Sequence, residues 1–519
     1  MTAGAAGGAA LALLLACGAA WGEGAVRYTL ALDEAARADG APSVTVEIDD
    51  APAPLTLLFP AWLPGAYELR TFGKGASAFD ARDQGRPLRV RRDGASRVVV
   101  EGHAAGAAVR VRFRIAASLL SDDGAEVDAR HAYLNLGAVL PAVLEREARP
   151  HACSLAAVPA GWRIVPDGDG VAAPSYLALI DQPLEVAPTE TLAVAERTSS
   201  GVRFVVAVHD EADPARGRAA AARLIAELPR IADAERALAG AFPFARYVLF
   251  VHVSERPEQP AALEHAAAAS LVIPPELVGD AGWEELRHVV AHELFHAWNA
   301  RRMVPLELAV TALERPQSIG ALWITEGLTE HAALVALARS GLLGRAALAQ
   351  RLDDLFTRAR EAERYGVSLD ALSRLAFITP GAPRIDPDAY YAAGHAVALA
   401  IVGELVARSG GRIGLEQLLG SLLPPSDAPP RLIDTAALGR ALDALAPGAP
   451  ALSSLLARLV DAPFSVAALA PSFERAGLSI VLPAARAARS KVELGARARA
   501  ATGARAARLV RLLGALPGR

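Results

Sequence analysis

The chain has 519 residues, of which 53% are hydrophobic and 21% charged, with a formal net charge of −4. That length exceeds what one core usually organises, so more than one domain is expected. Charges of both signs are scattered without a basic field, which argues against a nucleic-acid partner, and two cysteines are too few for a disulfide framework.

In chain order, residues 1–22 read as a secretory signal: the apolar, small-residue stretch through Ala16 is too short to cross a bilayer. Cleavage after Ala20 or Gly22 is one outcome. Leu14-Leu15-Ala16-Cys17 resembles a lipobox and offers lipidation of Cys17 as the other. Either way the expectation is export to the periplasm or cell envelope, with no transmembrane helix in the mature chain. Cys153 is then unpaired and reads as a small apolar core residue.

Residues 25–190 are strand-like. Val26, Tyr28, Leu30 and Leu32 alternate with polar or small residues, as do Val109, Val111, Phe113 and Ile115, and turn signals such as Asp93-Gly94 separate the runs. This pattern predicts an antiparallel β-sandwich. Asp167-Gly168-Asp169-Gly170 lacks the further acidic ligands of a calcium loop and reads as a turn. Residues 191–335 read as an α/β subdomain: a strand over Val202 to Val208, a helix from Ala215 to Leu238 kinked or broken at Pro229, and the apolar strand Tyr247 to Val253. A helical subdomain follows over 336–480, with proline-marked breaks, and 481–519 is an Arg- and Ala-rich, loosely held tail.

The chemistry sits in His292-Glu293-Leu294-Phe295-His296, inside a helical pattern from about Trp283 to Asn299. Four residues make about one helical turn, so His292 and His296 project from one face at a separation that suits a shared zinc. Glu293 lies beside them, placed to act as general base on a water. A third ligand is supplied downstream by Glu326, a carboxylate among Leu322, Trp323, Ile324 and Leu328 that coordination to a cation would satisfy. His288, one turn before His292, is left out of the ligand set because reaching His296 as well would stretch one ion over two turns. Glu330, one turn after Glu326, is a candidate to accept a hydrogen bond from a ligating histidine.

His292 to Arg302, then Pro305, then Leu322 to Thr329, closely resemble the glycyl aminopeptidase family of gluzincin metallopeptidases. Pro60-Ala61-Trp62-Leu63-Pro64-Gly65-Ala66-Tyr67, Leu263-Glu264-His265 and Tyr390-Tyr391 with Gly394 extend the resemblance over roughly residues 26 to 480. It implies one zinc on His292, His296 and Glu326, Glu293 as base, Glu264 facing the substrate's α-amino group, and Tyr391 donating to the tetrahedral oxyanion. The fold implied is multidomain α+β: an N-terminal β-sandwich, a thermolysin-like α/β catalytic subdomain and a helical C-terminal subdomain. Peptides are the implied substrates, cleaved after a small N-terminal residue such as Gly or Ala. The chain departs from the family where Ala261-Ala262 replace two glycines, where Ala393 replaces a lysine, and after Ile480, where the stretch is too short for a complete PDZ domain. The alternatives are a zinc endopeptidase of the same fold and a catalytically weak, peptide-binding envelope protein.

Overall fold

The computed structural model describes residues 24–478 and 503–514, apart from 64, 67–68, 256–260, 311, 316, 377–385 and 387. The signal segment, Cys17 and most of the expected tail lie outside the described residues. The chain forms two compact units: Met1–Leu63 with Arg70–Glu190, and Pro64–Leu69 with Thr191–Arg519.

The first unit is built of sheets. A seven-stranded sheet runs in the order Gly170–Ala173, His151–Ala156, Val26–Ala31, Ser43–Ala51, Ala107–Ile115, Ala76–Asp83, Arg86–Pro87, and two four-stranded sheets accompany it. The period-two runs do what they predict: Val26, Tyr28 and Leu30, and Val109, Val111, Phe113 and Ile115, are buried while their neighbours are not. One pairing departs from the antiparallel expectation, because Val26–Ala31 lies parallel to His151–Ala156. The Asp-Gly-Asp-Gly stretch joins the strands Trp162–Val165 and Gly170–Ala173 as a turn. Cys153 is buried, and burial pushes its thiol up to about 12, which leaves it inert.

A buried ion triad braces one of the smaller sheets. His131 Nε2 lies 2.9 Å from Glu126 and Nδ1 lies 3.1 Å from Glu185; the two carboxylates stand on the strands either side of Ala132–Leu134, which His131 immediately precedes. Burial alone would lower the imidazole, but Glu185, Glu126 and Asp128 outweigh it and raise it to about 10. A raised histidine stabilises the fold fully below its unfolded value of about 6.5, and that contribution is lost as pH rises through about 10. His131→Ala leaves two buried carboxylates without their cation. It is expected to cost about 3–5 kcal/mol at neutral pH, read by denaturant unfolding, with the deficit shrinking towards pH 10.

The second unit carries a five-stranded sheet in the order Leu192–Ser199, Val202–His209, Arg246–Val253, Ala268–Ile273, Ala261–Glu264. The three central strands are parallel and the two outer ones antiparallel to their neighbours. Parallel strands need a crossover, and the helix Pro214–Ala239 provides it, started by Asp213, whose side chain accepts from the backbone of Ala215 and Arg216. Of the kink or break expected at Pro229, the break does not occur, since one helix runs through it. The proline removes one backbone bond, whereas Leu224, Leu228, Ile231 and Leu238 bury both halves of the helix.

The division expected between residues 335 and 336 falls inside the helix Leu322–Arg339, which packs on both Trp283–Phe295 and Asp388–Arg408. The α/β and helical stretches therefore share one core. Within the expected tail, the helix Gly503–Leu513 is seated rather than loose: Leu509, Leu512 and Leu513 are buried and Arg511 pairs with Glu416 at 3.0 Å. The strand Arg431–Ile433, in a stretch read as helical, pairs with Met303–Pro305. Ala389–Arg408 is long and apolar enough to cross a membrane, but 94% of it is buried within the fold, as in a core helix.

Candidate metal centre

Three elements of the second unit meet at the centre. The first is the helix Trp283–Phe295, whose first turn carries Glu284 and Glu285 against the positive end of its dipole. Its buried apolar side chains, Trp283, Leu286, Val290 and Leu294, fix the face that carries His292. His296 caps the helix, and its Nδ1–H donates to the Asn299 carbonyl at 2.8 Å, which directs the lone pair of Nε2 into the centre.

Leu322–Arg339 is the second element and brings Glu326. Asn299 ties the two together, because its Nδ2 donates to the carbonyls of Ile324 and Thr325, at 3.1 and 2.8 Å, and to Thr329 Oγ1 at 3.0 Å. The backbone N–H of Trp323, unpaired within its own helix, donates to Ser373 Oγ at 3.1 Å. The third element is Asp388–Arg408, which carries Tyr391. Gly327 and Gly394 let these last two helices touch backbone to backbone: a β-carbon on Gly394 would lie 2.9 Å from the Trp323 carbonyl, and one on Gly327 would overlap Gly394 itself. That crossing sets the Tyr391 ring 5.7 Å from the ring of His292. Ala393 is fully buried.

His292, His296 and Glu326 converge. His292 Nε2 is 2.9 Å from His296 Nε2 and 3.2 Å from Glu326 Oε2, which in turn is 3.4 Å from His296 Nε2. Tetrahedral bonds of about 2.0–2.2 Å would set ligand atoms roughly 3.3–3.6 Å apart. All three residues are buried, and a pair of histidines with a carboxylate is a zinc donor set, so the residues present fit the metal. Burial would raise Glu326, but the two histidines hold it far below the usual carboxylate range. Burial would likewise lower His292, and Glu326 and Glu330 instead raise it well above the ordinary imidazole value.

Glu293 and Glu264 face the same centre, with oxygens within 4.8 Å of each other and of a His296 nitrogen. Burial pushes Glu293 up to about 7, opposed by His292 and His296 and aided by Glu264 and Glu326. Glu264 ends the edge strand Ala261–Glu264, where Ala261 and Ala262 are half-buried, and its backbone carbonyl accepts from Arg301. Glu330 lies against His292, with Oε1 3.0 Å from Nδ1. All seven residues singled out from the sequence therefore occupy one neighbourhood. Two further groups went unnoticed. Glu235 and Tyr247 are fully buried near the centre, and neither the Glu235 carboxyl nor the Tyr247 hydroxyl has a hydrogen-bond partner among the described residues. Burial raises Glu235 well above the usual range, partly offset by His292. The signal was an acidic residue inside the apolar stripe Ile231, Ala232, Leu238.

Residues 27–188 match the peptidase M61 N-terminal domain and residues 285–395 match M61 glycyl aminopeptidase. Among solved structures, an aminopeptidase N family protein from Idiomarina loihiensis shares the fold at a TM-score of 0.75, with 20% identity over 88% of this chain and 79% of that one. Yeast LTA4 hydrolase gives 0.51, with 12% identity over 85% and 68%. An M1 zinc metallopeptidase from Deinococcus radiodurans gives 0.47, with 15% identity over 84% and 93%. No curated protein matches. A His-His-Glu donor set with an adjacent buried glutamate, in a chain whose catalytic stretch matches a peptidase family, defines a zinc metallopeptidase. The chain belongs to the M61 glycyl aminopeptidase family, matched in both its N-terminal and its catalytic parts.

Proposed function

We propose that the protein is an aminopeptidase that uses one zinc ion to release a small residue, glycine or alanine, from the free N-terminus of peptides. The observation that carries this reading is Glu264, a carboxylate outside the metal set that lies within 4.8 Å of Glu293 and His296. An anion beside the general base suits a substrate whose cationic amine lies one residue from the scissile bond.

Zinc held by His292, His296 and Glu326 would polarise the scissile carbonyl and acidify water. Glu293 accepts the proton of the attacking water and passes it to the leaving amine, which makes one residue both base and acid. The Tyr391 hydroxyl donates to the oxygen on which negative charge develops. Glu264 holds the ammonium group in ground and transition states alike. Export to the cell envelope is part of this reading and rests on the apolar stretch ending at Ala16.

Glu264→Ala is expected to raise KM for free-N-terminal peptides about 10- to 100-fold, the equivalent of a charged hydrogen bond of roughly 1.5–3 kcal/mol, with zinc content unchanged. Steady-state kinetics on di- and tripeptides test it, and an unaltered KM counts against the aminopeptidase. Gly65 gives a second handle. Its φ is +94°, and a β-carbon there would lie 2.8 and 2.9 Å from the two Glu264 carboxylate oxygens. Gly65→Ala combines left-handed strain of about 1–2 kcal/mol with a displaced carboxylate, so KM should rise roughly tenfold while kcat changes little.

A further inference from the structure

The two helices that carry the zinc ligands repeat their pattern one turn away from the metal. His288 precedes His292 by four residues, Glu330 follows Glu326 by four, and these matched steps bring the second pair together. Glu330 Oε2 lies 3.0 Å from His288 Nε2, and Glu330 Oε1 lies 3.0 Å from His292 Nδ1, the latter bent away from ideal hydrogen-bond geometry. His395 Nδ1 approaches Oε2 at 3.7 Å, and the His395 ring rests against that of His331 at 5.7 Å. His292 approaches one oxygen of the carboxylate while His288, and more distantly His395, approach the other, and among the described residues these groups do not converge as a metal cluster, so the arrangement is a hydrogen-bonded relay.

We propose that His288 is a positioning residue for the metal ligand His292, acting through Glu330. The proposal rests on the reading of His292 as a zinc ligand. A metal-bound imidazole is aimed by whatever holds its other nitrogen, and for His292 that partner is Glu330. A carboxylate held at one oxygen is free to swing about its last torsion. His288 removes that freedom by donating Nε2–H to the second oxygen. Its other nitrogen, Nδ1, has no hydrogen-bond partner among the described residues, so the bond to Glu330 is the polar contact that sets its tautomer. His288 is largely buried, which keeps water from competing for Glu330.

The test is zinc affinity by chelator competition at fixed pH, for wild type, His288→Ala, His288→Phe, His288→Gln, Glu330→Ala and the double variant His288→Ala/Glu330→Ala. Melts of the metal-free proteins and the visible spectrum of the cobalt-substituted forms accompany it. Zinc stoichiometry should stay the same throughout. Glu330→Ala should weaken zinc about 10- to 100-fold, and His288→Ala or →Phe about 3- to 10-fold. The double variant should be no weaker than Glu330→Ala alone, because His288 acts only through the carboxylate. His288→Gln, which retains an N–H donor, should recover part of the loss, and the cobalt bands should shift in His288→Ala and Glu330→Ala alike. Additive losses in the double variant, or His288 variants with wild-type affinity and spectrum, would overturn the proposal. Full zinc binding by His292→Ala would overturn the ligand assignment itself, a separate failure read from a separate variant.

Discussion

Glu293→Gln is expected to keep its zinc and to lose turnover by about 10²- to 10⁴-fold, the usual worth of a positioned acid-base group. The reasoning is geometric first. Glu293 sits between the two histidines in sequence, is buried with them, and has an oxygen within 4.8 Å of a His296 nitrogen and of Glu264, yet stands outside the His292–His296–Glu326 set. The glutamine amide keeps the shape and still orients water, but it cannot take the proton. A pH profile sharpens the test. With Glu293 pushed up to about 7 in the metal-free chain, activity should fall as pH drops and the carboxylate protonates, and the positive charge of bound zinc would move that limb to a lower pH. The limb should vanish from the residual activity of the glutamine variant.

His292→Ala, His296→Ala and Glu326→Ala should each abolish activity and lose zinc on dialysis. Each removes one of three donors that lie 2.9 to 3.4 Å from one another, and no fourth side chain joins that cluster among the described residues. Loss of affinity should exceed the roughly 10- to 100-fold that removal of an outer partner costs. For Glu326 there is a second consequence: without its charge, two histidines drawn together at 2.9 Å lose the carboxylate that now sits against both. Metal analysis after dialysis, with circular dichroism to confirm folding, separates ligand loss from collapse.

What was legible in the sequence was what depends on local periodicity. The His292–His296 step is one helical turn whatever the surroundings, and Glu326 stood out because an ionised group in an apolar helix needs a partner. The alternating strands of the first unit were equally readable, since each buried face is written every second residue. What escaped depends on which elements cross. Asn299 is an ordinary polar residue until Ile324, Thr325 and Thr329 are laid against it, and Gly327 and Gly394 matter because two helices meet at those two positions. Pro229 was read by its local cost, and the burial that outweighs it comes from the sheet and the helices packed against it. His288 was set aside as a member of the metal set, and its bond to Glu330 lies across a helix pair and has no signature along the chain.

The central claim, a zinc enzyme that recognises a free N-terminus, is tested most directly by one comparison. Purified, zinc-loaded protein is given a panel of short peptides beginning with glycine or alanine, each as the free amine and as the N-acetylated form, and the released products are quantified. Glu264, placed beside Glu293 and His296, predicts rapid release of the first residue from the free peptides, at least about tenfold slower cleavage of the acetylated ones, and complete loss of activity on chelation. Equal cleavage of both forms, or cleavage at internal bonds, would contradict the account and make the protein a zinc endopeptidase, and full zinc occupancy with no cleavage of any peptide would make it a peptide-binding protein instead.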